Sequence, residues 1–102
     1  MAKGYWIASV DVHDPEAYKA YVAANAAAFR KYGARFLVRG GASDTVEGKS
    51  RARTVVLEFN DYATALACYR SPEYAAALAL RQPCATADVL VIEGYDGPQP
   101  AG

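Results

Sequence analysis

At 102 residues the chain has room for one domain, and with 53% hydrophobic residues it can build a core and still carry apolar surface. Lys+Arg and Asp+Glu each number 11, so the net charge is zero and the basic field that nucleic-acid binding needs is missing. A single histidine, His13, excludes a multi-histidine metal site within one chain.

"YWIASVDV" (Tyr5–Val12) is rich in β-branched and aromatic residues and predicts a strand. "HDPEAYKAYVAANAAAFRKYG" follows with helix signals. Asp14 is a good N-cap, Pro15 fits the first helical position and Gly33 is a stop. Tyr18, Tyr21, Val22, Asn25, Phe29 and Tyr32 share one face at helical spacing. "RFLVRGG" (Arg35–Gly41) predicts a second strand, and "ASDTVEGKSRA" a polar connection with its tight point at Glu47-Gly48-Lys49. "RTVVLEF" (Arg53–Phe59) completes a hairpin. Asp61 caps a short helix, "YATALACYR". Ser71-Pro72 repeats the signal of a cap followed by proline, and starts another helix, "PEYAAALALRQ", which ends at Pro83. "ADVLVIEGY" (Ala87–Tyr95) is the last strand, and residues 96–102 are expected to form a flexible tail after a single domain spanning 1–95. The order β-α-β-β-α-β predicts an α+β, ferredoxin-like fold: a four-stranded antiparallel sheet in order 4-1-3-2, with helices on one face.

Alternation sorts each strand into two faces. Trp6, Ala8, Val10, Val12, Phe36, Val38, Val55, Leu57 and Phe59 form an apolar face for the helices. The other face offers Tyr5, Ile7, Ser9, Asp11, Leu37, Arg39, Val56 and Glu58, with either Leu90 and Ile92 or Val89 and Val91 from the last strand. Ile7, Leu37 and Val56 together are a patch that monomers rarely expose. A second copy of the sheet is the natural cover, which gives a homodimer with a chamber between sheet and partner for a small ligand.

The segments "YWIASVDVHDPEAYKAY", "YGARFLVRGG", "VEGKSRARTVVLEF" and "YRSPEYAAALALR" resemble the small bacterial family called domain of unknown function 1330, over roughly Gly4 to Gly94. The resemblance implies the dimeric α/β-barrel superfamily. That superfamily includes cofactor-free monooxygenases, haem-handling enzymes and lactone isomerases. It implies no particular activity for the family itself.

The candidate site residues follow from chemistry and placement. Arg39 and Glu58 are expected opposite each other on the hairpin, either as a cross-strand ion pair or as an anion anchor with its support. Tyr5 on the chamber face, Asn25 in the stripe of the first helix and Tyr74 at the helix break complete the expected ligand contacts. His13, at the turn from strand to helix, and Tyr69 are the candidate catalytic groups. Neither a metal nor a cofactor is expected. Cys68 is read as a small buried helix residue without nucleophilic character. The N-terminus "MAKGYW" has no apolar signal core and no run approaches the ~20 apolar residues of a membrane helix, so a cytoplasmic location without membrane partners is expected. The function expected is binding of a small organic acid or aromatic ligand, with cofactor-free proton-transfer or oxygenase-type chemistry. A non-catalytic dimeric binding or assembly module is the alternative.

Overall fold

The computed structural model describes residues 2–101; Met1 and Gly102, the outer ends of the expected domain and tail, lie outside the described residues. The elements run β1 (Gly4–Val12), α1 (Pro15–Tyr32), β2 (Arg35–Arg39), β3 (Arg53–Phe59), α2 (Tyr62–Tyr69), α3 (Pro72–Arg81) and β4 (Ala85–Glu93). They form one four-stranded antiparallel sheet in the order β2-β3-β1-β4. This is the expected ferredoxin-like order read from its other edge.

The local signals act as their chemistry dictates. The Asp14 carboxylate accepts from the Ala17 N–H at 3.2 Å to open α1, and Gly33 closes it in the left-handed region at φ 69°. Asp61 accepts from Thr64 N–H at 2.7 Å to open α2. At the break between α2 and α3, the Ser71 hydroxyl does two jobs. It accepts from the Tyr74 N–H at 3.1 Å and donates to the Cys68 carbonyl at 2.7 Å. One side chain therefore serves the end of one helix and the start of the next. Pro72 fixes the first turn of α3 and cannot continue α2.

The core lies between the sheet and the helices. Trp6 is its centre: its ring meets Phe29, Phe59, Tyr69 and Tyr74 at centroid distances of 4.9–5.4 Å. Its Nε1 donates to the Ala65 carbonyl at 2.8 Å, so the indole is buried with its donor satisfied. Cys68 and Cys84 are buried free thiols, and burial pushes the Cys68 thiol up to about 12.

Two features of the sheet depart from simple alternation. The first lies in β2. Phe36 pairs with Leu57, but Val38 pairs with Val56 and Arg39 with Val55, with a register shift between Phe36 and Val38. A bulge of one residue exchanges the faces of everything after it. Val38, expected under the helices, thus lies on the outer face with Val56, and Arg39, expected outside, turns inward. The expected pairing of Arg39 with Glu58 is corrected by the same shift: Glu58 lies opposite Arg35, whose Nη2 is 2.7 Å from Glu58 Oε1. The second concerns β4, which starts at Ala85 rather than Ala87. Val91 packs on the core, which leaves Leu90 and Ile92 on the outer face, 54% and 43% exposed.

Candidate functional site

A cavity of about 40 Å³ lies between the inner face of the sheet and helices α1 and α3. Its apolar walls come from the strand positions that alternation assigns inward, among them Trp6, Val55 and Leu57. Its polar lining comes from three directions. Helix α1 supplies Tyr18, Tyr21 and Asn25, which recur at helical spacing. Helix α3 supplies Tyr74 and Arg81. The hairpin supplies Arg39 and Arg53. Among the described residues lining the cavity there is no carboxylate and no histidine.

Arg81 is the unusual member. It is the last residue of α3 yet only 6% exposed, and its guanidinium carbon lies 5.7 Å from the centre of the Tyr21 ring. Arg53 enters from β3. The Nε atoms of Arg53 and Arg81 are both enclosed and have no hydrogen-bond partner. Gly40 sits beside Arg53 at φ 67°, and a Cβ there would collide with the Arg53 guanidinium. The left-handed backbone is what calls for glycine here, since the flexible Arg53 end could move aside. Arg39 lies at the rim, its guanidinium 4.1 Å from the centre of the Phe36 ring.

Two of the phenols, Tyr18 and Tyr74, are held protonated. Burial is the first cause of the raised Tyr18 pKa, reinforced by Tyr21 and opposed by Arg53 and Arg81. Burial likewise pushes Tyr74 up strongly, and its hydroxyl shares a 2.8 Å hydrogen bond with that of Tyr21. These groups are hydrogen-bond donors rather than bases.

The expected site residues divide into three sets. Asn25, Arg39 and Tyr74 come together around this cavity. Tyr5 and Glu58 meet on the opposite face, where the Tyr5 hydroxyl donates to Glu58 Oε2 at 3.1 Å. His13 and Tyr69 join neither set. His13 is exposed and its Nε2 is 2.7 Å from Thr86 Oγ1, while Tyr69 stacks in the Trp6 cluster. Arg53, Arg81, Tyr18 and Tyr21 were not among the expected site residues. The signals were present: Arg53 shares the inward parity of Val55 and Leu57, and Arg81 falls seven residues after Tyr74 on the buried stripe of α3.

On the outer face Ile7 lies between Val56 and Leu90, with Ile92 beside Tyr5. At one end Arg51 bridges Asp11 and Asp88, each at 2.9 Å, and the backbone of Arg51 and Ala52 is held by Ser9 and Asp11. The connection from β2 to β3 is thereby tied down across β1 and β4. Among the described residues no group of three His, Cys, Asp or Glu is placed to hold a metal. None of the described helices is long and apolar enough to cross a membrane.

An antiparallel sheet in this order, with helices on one side and a cavity beneath them, defines a ferredoxin-like α+β fold. The chain belongs to the family described as Domain of unknown function (DUF1330), whose profile matches residues 3–95. No curated protein matches it. Among solved structures it is similar to a protein of unknown function from Rhodopseudomonas palustris, with 20% identity, a TM-score of 0.71, and coverage of 97% of this chain and 85% of that one. It is also similar to SnoaB, a cofactor-independent oxygenase from Streptomyces nogalater, with 12% identity, a TM-score of 0.63, and coverage of 99% and 100%. A third similar structure is a dimeric ferredoxin-like protein of unknown function from Thermobifida fusca, with 18% identity, a TM-score of 0.52, and coverage of 90% and 89%. At these identities the likeness extends to the fold.

Proposed function

We propose that the chain is a homodimeric small-molecule-binding protein that holds a small organic acid or aromatic compound in the cavity between the sheet and helices α1 and α3. The carrying observation is Arg81, a guanidinium 6% exposed in a cavity whose described lining contains no carboxylate. A buried charge without a counter-charge is costly, and an anionic ligand would supply one. Aromatic walls, convergent hydroxyls and a few charged groups are the general composition of a ligand site.

Dimerisation uses the outer face. Ile7, Val38, Val56, Leu90 and Ile92 form an apolar surface on a sheet whose other side is already covered. A two-fold copy covers it with the same residues. The likeness in fold to the dimeric T. fusca protein supports association as a dimer, and the apolar surface supports this face as its seam. In this reading the ligand sits within each protomer's own fold, and the outer face serves association.

Cofactor-free proton transfer or oxygenase-type chemistry on the bound compound has support from the SnoaB likeness in fold. One observation favours the alternative, a non-catalytic binding or assembly module: the described lining of the cavity includes no histidine or carboxylate ready to take a proton. Native mass spectrometry of freshly purified protein tests the reading, since it reports assembly mass and retained ligand together. A dimer carrying a small organic compound is expected. A ligand-free monomer unaffected by a panel of carboxylates and phenols in thermal-shift assays would overturn it.

A further inference from the structure

Two guanidiniums enter the cavity from facing walls, Arg53 from strand β3 and Arg81 from helix α3. Both act on one phenol, Tyr18, and both keep an enclosed Nε without a partner. The Tyr21 ring beneath Arg81 offers a cation–π contact, which offsets part of the lost hydration but cancels no charge. With Arg39 at its rim, the cavity therefore presents three positive groups, two of them with an enclosed Nε, and no counter-charge from its described lining. The planar guanidinium fork matches a planar carboxylate, in which two oxygens accept parallel N–H bonds.

Volume and protonation narrow the class. One water requires roughly 10–15 Å³ of such space, so a cavity of about 40 Å³ holds about three waters. That is room for a compound of a few heavy atoms rather than a polycyclic substrate. The described lining has no histidine or carboxylate, and burial raises the pKa of Tyr18 and Tyr74, which keeps these two phenols protonated. A ligand must therefore arrive with its charge already formed. Carboxylic acids do so at neutral pH, whereas simple phenols, with pKa near ~10, do not. The protonated hydroxyls are donors, which a carboxylate accepts and a cation cannot.

We infer that the cavity binds a short-chain carboxylate in its ionised form, its oxygens bridging Arg53 and Arg81 with a hydroxyl donated by Tyr18. The inference rests on the cavity being the ligand site proposed above, and it names the ligand's chemical class.

The test is isothermal titration calorimetry on the full chain at constant ionic strength balanced with chloride. Acetate, propionate and malonate are the probes; acetamide and phenol are the neutral controls. At least one carboxylate is expected to bind at least tenfold more tightly than acetamide. Arg81→Lys keeps the charge but loses the fork and should weaken that binding at least tenfold, as should Arg53→Gln. Circular dichroism checks each variant; if Arg81→Lys fails to fold, Arg53→Gln on the sheet wall decides alone. Preference for phenol over every carboxylate would overturn the carboxylate class and leave the ligand site standing. Equal binding of acetate and acetamide, or carboxylate binding untouched by the substitutions in the folded variants, would overturn the inference. Silence from every probe, with ligand-free protein in native mass spectrometry, would remove the ligand site as well.

Discussion

Arg81 is a charged residue on an otherwise uncharged buried stripe. It follows Tyr74 and Ala77 on the buried stripe of α3, and its charged end reaches phenol hydroxyls and a ring rather than an acid. Even a buried ion pair can often be replaced by apolar groups of similar volume with no loss or a gain of ~1–4 kcal/mol, and a buried charge without a counter-charge has less to lose. Arg81→Met is accordingly expected to leave the ligand-free protein as stable as wild type or more so, while abolishing carboxylate binding. Urea titration without added ligand measures the first part. A loss beyond ~2 kcal/mol would make Arg81 a structural residue. Arg39 illustrates the opposite placement. Its guanidinium rests on the Phe36 ring at the exposed rim, open to solvent.

At the scale of elements, the helices depend on side chains that stand just outside them. Ser71 is 3% exposed and couples α2 to α3 through two hydrogen bonds. Ser71→Ala should cost ~0.5–2 kcal/mol of stability, read by denaturant titration, with no change in assembly mass. Unchanged stability would mean that the hydroxyl is not needed as a cap. The acidic caps and pairs make a related prediction about pH. The Thr64 side chain and N–H hold Asp61 below its ordinary 3.8. The Ala52 N–H and Arg51 hold Asp11 below the same value. Lys31 holds Glu73 below its ordinary 4.5. A folded pKa that is depressed contributes stability above the unfolded value and loses it as pH falls through the folded one. Stability should therefore be level near neutrality and decline below about pH 4. Asp61→Ala should lower stability at pH 7 and narrow the difference between pH 7 and pH 3. An undiminished difference, from urea titrations at the two pH values, would show that Asp61 does not contribute to the acid limb.

For the whole molecule, the two faces of one sheet have separate tasks. The inner face carries the aromatic core and the cavity. The outer face combines the Ile7, Val56, Leu90 and Ile92 patch with the Arg51 clasp. Val56 lies beside both Ile7 and Val38, so Val56→Arg would bring two like charges together across the proposed two-fold interface. The expected outcome is dissociation to folded monomer by light scattering, with the circular dichroism spectrum retained. A variant that keeps the wild-type mass would place the interface elsewhere.

The order of elements and their ends were legible in the sequence because their causes are local. Asp14, Gly33, Asp61 and Ser71-Pro72 act on neighbouring backbone, and the tyrosines of α1 announce one helical face. The inward set Trp6, Val10, Val55, Leu57 and Phe59 was legible through alternation. The candidate site was legible in part: Asn25, Arg39 and Tyr74 were singled out, and they meet in one cavity. What brings them there was not legible. "FLV" in β2 is apolar throughout, so alternation carries no register, and only pairing with β3 reveals the bulge that turns Arg39 inward and leaves Glu58 to Arg35. The same ambiguity hid which residues of "VLVI" face outward, until packing placed Val91 on the core. Convergence of Arg53 and Arg81 on Tyr18 joins three elements far apart in the chain. The sequence determined the fold because short-range hydrogen bonds and periodic burial specify elements. The tertiary structure alone decided which charged residues line the cavity, because register and long-range packing choose which side chains share one enclosed space.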